Sequence, residues 1–172
     1  MYAGDFDEFY PRPGAAIDWG DTDPLDGTYG WMYVLWNEGY IKSPKVYSCQ
    51  SFSKYVDSPY AYFLSARAAY LKAGEHRAST CLRYIKASPS VFIVGGDENF
   101  RFPHEPDCDK DDYNNNCLVF GEDATHWKPH HQNGFNILFA DGHVTHHKQW
   151  NPELMTFRYD RMAGYDKDAL DP

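Results

Sequence analysis

The chain has 172 residues, of which 25 are acidic and 16 are basic, and its formal net charge is −9. This length suits one domain over residues 1–172, and the acidic balance argues against nucleic acid or anionic lipid as a partner. Aromatic residues make up 17% of the chain, which excludes a disordered acidic segment and predicts a core built largely from rings.

The first half of the chain predicts a loop, a helix and a short strand. Proline and glycine are frequent over 11–30, so we expect a surface loop there. Apolar residues recur at helical spacing from Trp31 onward and predict a helix over about 29–38. Residues 45–49 alternate briefly and predict an edge strand. Residues 58–73 combine helix-capping signals with strand-like alternation, so the sequence leaves that segment open.

The next segments predict a central strand followed by a long loop. Branched and aromatic residues fill 90–97, with 91–95 expected inside the sheet. Residues 98–130 show little apolar periodicity and much Asp, Asn, Pro and His, which predicts one long insertion loop. After Trp150 the charges are scattered, and we expect a tail that lies along the surface.

Two alternating runs flank Asp141-Gly142 and predict a β-hairpin. The strands would cover 134–140 and 143–149, joined by a tight two-residue turn in which Phe139 faces Val144. The predicted core face carries Phe135, Ile137, Phe139, Val144 and Trp150, and the other face carries Asn136, Leu138, His143, Thr145 and His147. The sequence therefore predicts an α+β domain with an antiparallel sheet.

The hairpin sequence His131-Gln132-Asn133-Gly134-Phe135-Asn136-Ile137-Leu138-Phe139-Ala140-Asp141-Gly142-His143-Val144 resembles the signature of the prepilin-type H-x9-DG proteins. In that family a histidine precedes an Asp-Gly turn by nine intervening residues, and the family is related to type II secretion pseudopilins and type IV pilins. Residues 1–11 also resemble the exit from the family's long N-terminal helix. The resemblance implies a pilin-like fold with long loops, a C-terminal hairpin and an N-terminal helix that is mostly truncated here.

This resemblance implies a structural role outside the cytoplasm. The expected protein is the globular head of a membrane-anchored or filament-forming subunit, with a periplasmic, cell-surface or extracellular location. Its partners would be other pilin-like subunits or secretion machinery. No stretch approaches the roughly 20 apolar residues of a membrane span, so the expected membrane contact is made only through the missing N-terminal helix.

The motif residues His131, Asp141 and Gly142 have two interpretations. In the structural one, Asp141 adopts a turn conformation and His131 hydrogen-bonds the backbone of the hairpin or of the preceding loop. In the catalytic one, His131 and Asp141 form an acid/base pair. No legible nucleophile, pair of acids or oxyanion loop accompanies them, so we expect no enzyme.

Four cysteines, Cys49, Cys81, Cys108 and Cys117, occur without a CxxC pair or the spacing of a zinc knuckle. They predict disulfides and hence an exported protein. Cys108 and Cys117 bracket a short loop and are the easiest pair to close, which leaves Cys49 with Cys81 among the three connectivities. Four reduced thiols in a cytosolic protein are the alternative.

Oxygen donors crowd the segment from Asp107 to Cys117, at Asp107, Asp109, Asp111, Asp112 and Asn114. Such donors suit calcium, whereas the alternative is a solvated acidic loop. Calcium would also fit a second function, an extracellular calcium-dependent module that binds a glycan or another ligand. A zinc site from His130, His131 and one hairpin histidine is a further alternative.

Overall fold

The computed structural model describes residues 2–11, 31–47, 49, 62–65, 67–73, 79–97, 131, 134–148, 151 and 153–160. The helices are α1 (Tyr2–Asp5), α2 (Trp31–Asn37) and α3 (Arg67–Ala73), and the strands are β1 (Tyr62–Leu64), β2 (Ile93–Asp97), β3 (Phe135–Phe139) and β4 (Val144–His147). Short 3-10 helices cover Pro44–Tyr47 and Leu82–Tyr84. Among these residues, no helix has the length and apolar character needed to cross a membrane.

The strands form one antiparallel sheet in the order β1-β2-β3-β4. Tyr62 pairs with Asp97 across β1 and β2, and Gly96 pairs with Ile137 across β2 and β3. The β2–β3 register shifts between Ile93 and Gly95. A mixed α+β class is therefore confirmed, and so are the predicted central strand and the predicted hairpin.

One face of the sheet carries the main core, made of Ile93, Phe135, Ile137, Phe139, Met155 and Phe157, none more than 2% exposed. Three of the four core residues predicted on the hairpin strands are therefore confirmed. The last two core residues come from the segment after β4, where Thr156 pairs with Phe92 and its N–H donates to the Val91 carbonyl at 2.8 Å. The prediction of a surface tail was thus wrong for residues 155–157, because Met155 and Phe157 enter the core, whereas Leu154 beside them is 52% exposed.

The hairpin turn is one residue longer than predicted. The Gly142 N–H donates to the Phe139 carbonyl at 2.9 Å, and the Phe139 N–H donates to the His143 carbonyl at 3.0 Å. These bonds close a three-residue loop with a bulge, so Leu138 and not Phe139 pairs with Val144. A shift of one residue reverses the face of every following side chain. Val144 is accordingly 61% exposed, and its predicted place in the core was wrong.

The remaining local predictions had mixed outcomes. The predicted helix over 29–38 is confirmed by α2. The predicted edge strand over 45–49 was wrong, because Pro44–Tyr47 form a 3-10 helix. Proline suits a first helical turn, and the Ser43 hydroxyl accepts a hydrogen bond from the Lys45 N–H at 3.4 Å. For residues 58–73 the sequence favoured neither a helix nor a strand. The segment contains both, first β1 and then α3.

The opposite face of the sheet meets the N-terminal part of the chain. Trp31 of α2, Tyr47 and Leu64 form a buried cluster there, and partly buried side chains pack against it, namely Tyr10, Leu35, Ile41 and Tyr62. The rings of Trp31 and Tyr47 meet edge to face, with their centroids 5.6 Å apart. This packing places α2 over the β1 side of the sheet.

Gly142 provides the first testable prediction. Its φ is +90°, and a Cβ at this position would meet no atom within 4 Å. Backbone conformation alone therefore opposes a side chain here, and we expect Gly142→Val to lower the free energy of unfolding by about 1–3 kcal/mol. Gly142→Asn should cost less, because asparagine tolerates positive φ. Chemical denaturation can compare the three proteins, and equal midpoints for Gly142→Val and the parent would contradict the assigned turn.

Candidate functional site

Asp97 lies at the end of β2 with only 2% of its surface exposed. Its Oδ2 accepts two hydrogen bonds from Asn136 of β3, one from the backbone N–H at 2.8 Å and one from Nδ2 at 2.9 Å. Burial raises the pKa of Asp97 above its usual value, although the Asn136 bonds and the nearby His131 act in the opposite direction. The carboxyl group is therefore both buried and tightly held.

His131 and Cys49 approach this carboxyl group from two other parts of the chain. The His131 Nε2 lies 3.7 Å from Asp97 Oδ2 and 3.4 Å from Cys49 Sγ. The Gly134 N–H donates to the His131 carbonyl at 2.8 Å, and the resulting turn holds the histidine ahead of β3. We call Asp97, Asn136, His131 and Cys49 the Asp97 cluster. The side chain of His131 thus approaches a carboxyl group and a thiol.

The Asp97 cluster contains a thiol, an imidazole and a carboxyl group, but their arrangement differs from that of a catalytic triad. In a triad the acid orients one ring nitrogen while the nucleophile meets the other. Here Asp97 and Cys49 both approach the same atom, His131 Nε2. One nitrogen cannot carry a proton toward the carboxylate while it accepts the proton of the thiol. This geometry is better suited to holding the three chain segments together than to transferring a proton.

The other motif residues lie at the far end of the hairpin. The Asp141 Oδ1 accepts a hydrogen bond from the His143 N–H at 3.1 Å and lies 2.5 Å from the His143 Nδ1, and these contacts lower the pKa of Asp141. The His143 ring stacks on Phe139, with the centroids 4.5 Å apart. All of β3 separates Asp141 from His131, a span of more than about 13 Å. The two motif residues therefore do not meet as an acid/base pair.

In the structure Cys49 and Cys81 are free thiols, whereas the sequence predicted that they pair. Cys81 is buried, pairs with Phe9 in an antiparallel bridge, and its N–H donates to the Tyr159 hydroxyl at 2.8 Å. Cys49 instead contacts His131 of the Asp97 cluster. Each thiol is thus held by a different set of neighbours. Cys108 and Cys117 lie outside the described residues.

The predicted calcium donors, Asp107, Asp109, Asp111, Asp112 and Asn114, lie outside the described residues, as does all of the predicted loop 98–130. In the part of the chain that the structure describes, no three His, Cys, Asp or Glu residues are placed to hold a metal ion. Of the histidines in the zinc alternative, His130 lies outside the described residues and His131 belongs to the Asp97 cluster.

Calcium binding by the loop 98–130 stays a prediction. Calorimetric titration of the chelator-treated protein should give saturable heat and a higher melting temperature at millimolar calcium, because weak extracellular sites fill at about 10⁻⁴ to 10⁻³ M. Absence of both effects would leave the loop as a solvated acidic segment.

A cavity of about 500 Å³ lies beside the Asp97 cluster, and both Asp97 and Asn136 line it. Seven aromatic residues line it, namely Tyr2, Tyr10, Trp31, Tyr40, Tyr47, Tyr62 and Phe139. The indole Nε1 of Trp31 is buried, and among the residues that the structure describes it has no hydrogen-bond partner. Cavities of this size with aromatic walls and a few polar groups are typical of sites for small ligands.

His147 gives a pH-dependent prediction. Burial lowers the pKa of His147 below its ordinary value of 6.5, and the neighbouring His146 and His143 act in the same direction. The unfolded chain therefore binds a proton at this residue at a higher pH than the folded chain does, so stability falls as the pH drops below about 6.5. We expect His147→Gln to reduce the fall in melting temperature between about pH 7 and pH 5. An unchanged fall would contradict this assignment.

Comparison with known proteins gave no match, whether the chain was compared with family models, with curated proteins or with solved structures.

Proposed function

We propose that the chain is the globular head of a pilin-like structural subunit, carried by a membrane-anchored or filament-forming parent at a periplasmic, cell-surface or extracellular location. The proposal is supported by the contacts and the backbone conformation of the three motif residues. His131 braces Asp97, Asp141 bonds across the turn, and Gly142 supplies the positive φ that the turn needs. The partners would be other pilin-like subunits or secretion machinery.

The attachment of α1 to the head supports this role. The Glu8 N–H donates to the Ala3 carbonyl at 2.7 Å, and the Leu82 N–H donates to the Glu8 carbonyl at 2.9 Å. The Tyr10 N–H then donates to the Thr80 carbonyl at 2.8 Å. These bonds tie the chain that leaves α1 to a segment next to the sheet. A helix that entered the domain through α1 would therefore be held rigidly by the head.

The proposal assigns no turnover to the Asp97 cluster. Because Asp97 and Cys49 approach the same nitrogen of His131, the cluster is better suited to stabilising the fold than to transferring a proton. We expect His131→Ala to change stability or assembly. A robust hydrolytic or transfer activity that is abolished in a folded His131→Ala protein would overturn this part of the proposal.

The encoding gene offers the most direct test. We expect a prepilin-type processing site upstream of Met1, followed by about 20 apolar residues. The tagged full-length protein should then be processed by a prepilin peptidase and appear among surface fibres or with secretion machinery. A reading frame that starts at Met1 without such a segment would contradict the proposal.

The cavity of about 500 Å³ favours a second candidate, an extracellular ligand-binding module. The aromatic rings of its walls would hold a glycan or another ligand by stacking. A glycan array with and without calcium tests this function. Saturable binding that Trp31→Phe removes would favour the module over the pilin-like head.

A further inference from the structure

A second pocket, of about 360 Å³, gathers positive charge in a chain whose net charge is −9. Four of the residues that line it are basic, and they share the pocket with two tyrosine rings and one carboxylate, that of Asp160. We call the set of Lys72, Arg83, Lys86, Arg158, Tyr84 and Tyr159 the basic pocket. The local charge is thus opposite in sign to that of the whole chain.

In the described part of the chain, two of the four cations are paired with a carboxylate and two are not. Arg83 Nε pairs with Glu8 Oε2 at 3.2 Å, and Arg158 Nε pairs with Asp160 Oδ1 at 3.4 Å. Within the described ranges, the ammonium groups of Lys72 and Lys86 have no carboxylate at ion-pair distance. The basic pocket therefore keeps positive charge available for a ligand.

Lys72 belongs to α3, and its Nζ lies 4.2 Å above the centre of the Tyr84 ring. A contact with a ring face orients an ammonium group without satisfying its N–H donors. The side chain of Arg158 is only 20% exposed, so an anion that reaches it is also partly removed from water. Electrostatic attraction is stronger where less water intervenes.

The floor of the basic pocket is fixed by the packing of Tyr159. Its ring stacks on Phe92 and meets Tyr84 edge to face, with both centroid distances at 5.7 Å. Its carbonyl accepts hydrogen bonds from the Lys86 N–H at 2.7 Å and the Ala87 N–H at 3.1 Å. The cations are thus carried by segments whose backbones are fastened to one another, and a ligand would have little ordering to impose.

We propose that the basic pocket binds a small, multiply charged oxyanion of the phosphate type. Ammonium groups act as point charges and guanidinium groups offer paired donors, and together they match the oxygens of such an ion. A long polyanion is disfavoured, because the rest of the chain carries an excess of negative charge that would repel it. This site is independent of the pilin-like role and of the Asp97 cluster.

Calorimetric titration with inorganic phosphate at constant ionic strength tests the proposal. We expect saturable binding to one site, weakened at least about tenfold in the double variant Lys72→Gln/Lys86→Gln, since both substitutions remove charged hydrogen-bond donors. Lys42→Gln, which removes an exposed lysine outside the pocket, is the matched control and should leave binding unchanged. Melting temperatures verify that each variant folds.

Further outcomes decide the nature of the site. Chemical-shift changes on phosphate addition should centre on the basic pocket, and changes centred elsewhere would overturn the proposal. Equal weakening by Lys42→Gln, or no saturable binding, would also overturn it. A phosphodiester oligonucleotide that binds more tightly than phosphate would replace the small oxyanion with a polyanion and contradict the assigned ligand class.

Discussion

Replacement of Asp97 by alanine is expected to lower the free energy of unfolding by about 2–4 kcal/mol, because each buried donor left without a partner costs about 1–3 kcal/mol. Two donors are affected, the backbone N–H and the Nδ2 of Asn136, and His131 loses its neighbouring carboxyl group. Chemical denaturation of Asp97→Ala and the parent measures the loss directly. The effect should be large because Asp97 is only 2% exposed.

Two variants serve as controls for this prediction. Asp97→Asn keeps the side-chain shape and one acceptor oxygen, so its loss should be smaller than that of Asp97→Ala. Asp160→Ala removes a carboxylate that is 56% exposed, and surface ion pairs contribute little to stability. If Asp97→Ala and Asp160→Ala had equally small effects, the Asp97 cluster would not brace the fold.

The pKa of Asp97 adds a dependence on pH. Since burial raises that pKa in the folded protein, folding favours the protonated carboxyl group between the ordinary value of 3.8 and the folded value. The contribution of this residue to stability is therefore complete below pH 3.8 and declines as the pH rises through the folded pKa. The deficit of Asp97→Asn relative to the parent should shrink over the same interval.

Local sequence signals predicted the hairpin but not the length of its turn. The alternation of Phe135, Ile137 and Phe139 needs only a strand with one buried face, and the structure buries all three. Asp-Gly, however, is compatible with a two-residue turn and with a three-residue loop that contains a bulge. The choice between these two turns depends on backbone dihedral angles that the dipeptide sequence does not determine. Because the turn is one residue longer, Val144 lies at the surface and not in the predicted core.

The Asp97 cluster required contacts over long sequence distances. Asp97 and Asn136 are 39 residues apart, and Cys49 and His131 are 82 residues apart. The contact between Asp97 and Asn136 could have been predicted from the sequence, because both strands were predicted. Antiparallel pairing brings the end of β2 beside the start of β3. The position of Cys49 could not have been predicted in this way, because Cys49 lies in no helix or strand. The sequence predicted a disulfide for Cys49 and not a contact with His131.

The C-terminal part of the core has a short alternating pattern of apolar residues, but the polar composition around it made this pattern hard to recognise. Met155 and Phe157 flank Thr156 in an alternating pattern, and both apolar side chains are 1% exposed. Charged residues and a proline surround this short run, so the segment was predicted to lie on the surface. A three-residue pattern is too short to identify a strand by itself. Only its pairing with Phe92 reveals its place in the core.

The position before β3 provides the last prediction, a loss of about 1–3 kcal/mol or more in the free energy of unfolding for Gly134→Ala. A Cβ at Gly134 would clash with the His147 carbonyl oxygen and would lie 2.5 Å from the His146 Nε2. The His146 ring can rotate away, but the carbonyl belongs to β4, where His147 pairs with Phe135. The clash is therefore relieved only if β3 and β4 separate at this end.

Such a separation would also disturb the turn that holds His131 ahead of β3, since the Gly134 N–H donates to the His131 carbonyl. Gly4→Ala is the matched control, because a Cβ at Gly4 meets nothing within 4 Å and the residue lies in α1. Alanine has the higher helix propensity, so this control should be neutral or slightly stabilising. Urea denaturation compares the two variants with the parent. If Gly134→Ala unfolds at the same midpoint as Gly4→Ala, then β3 and β4 do not approach each other here as closely as the structure shows.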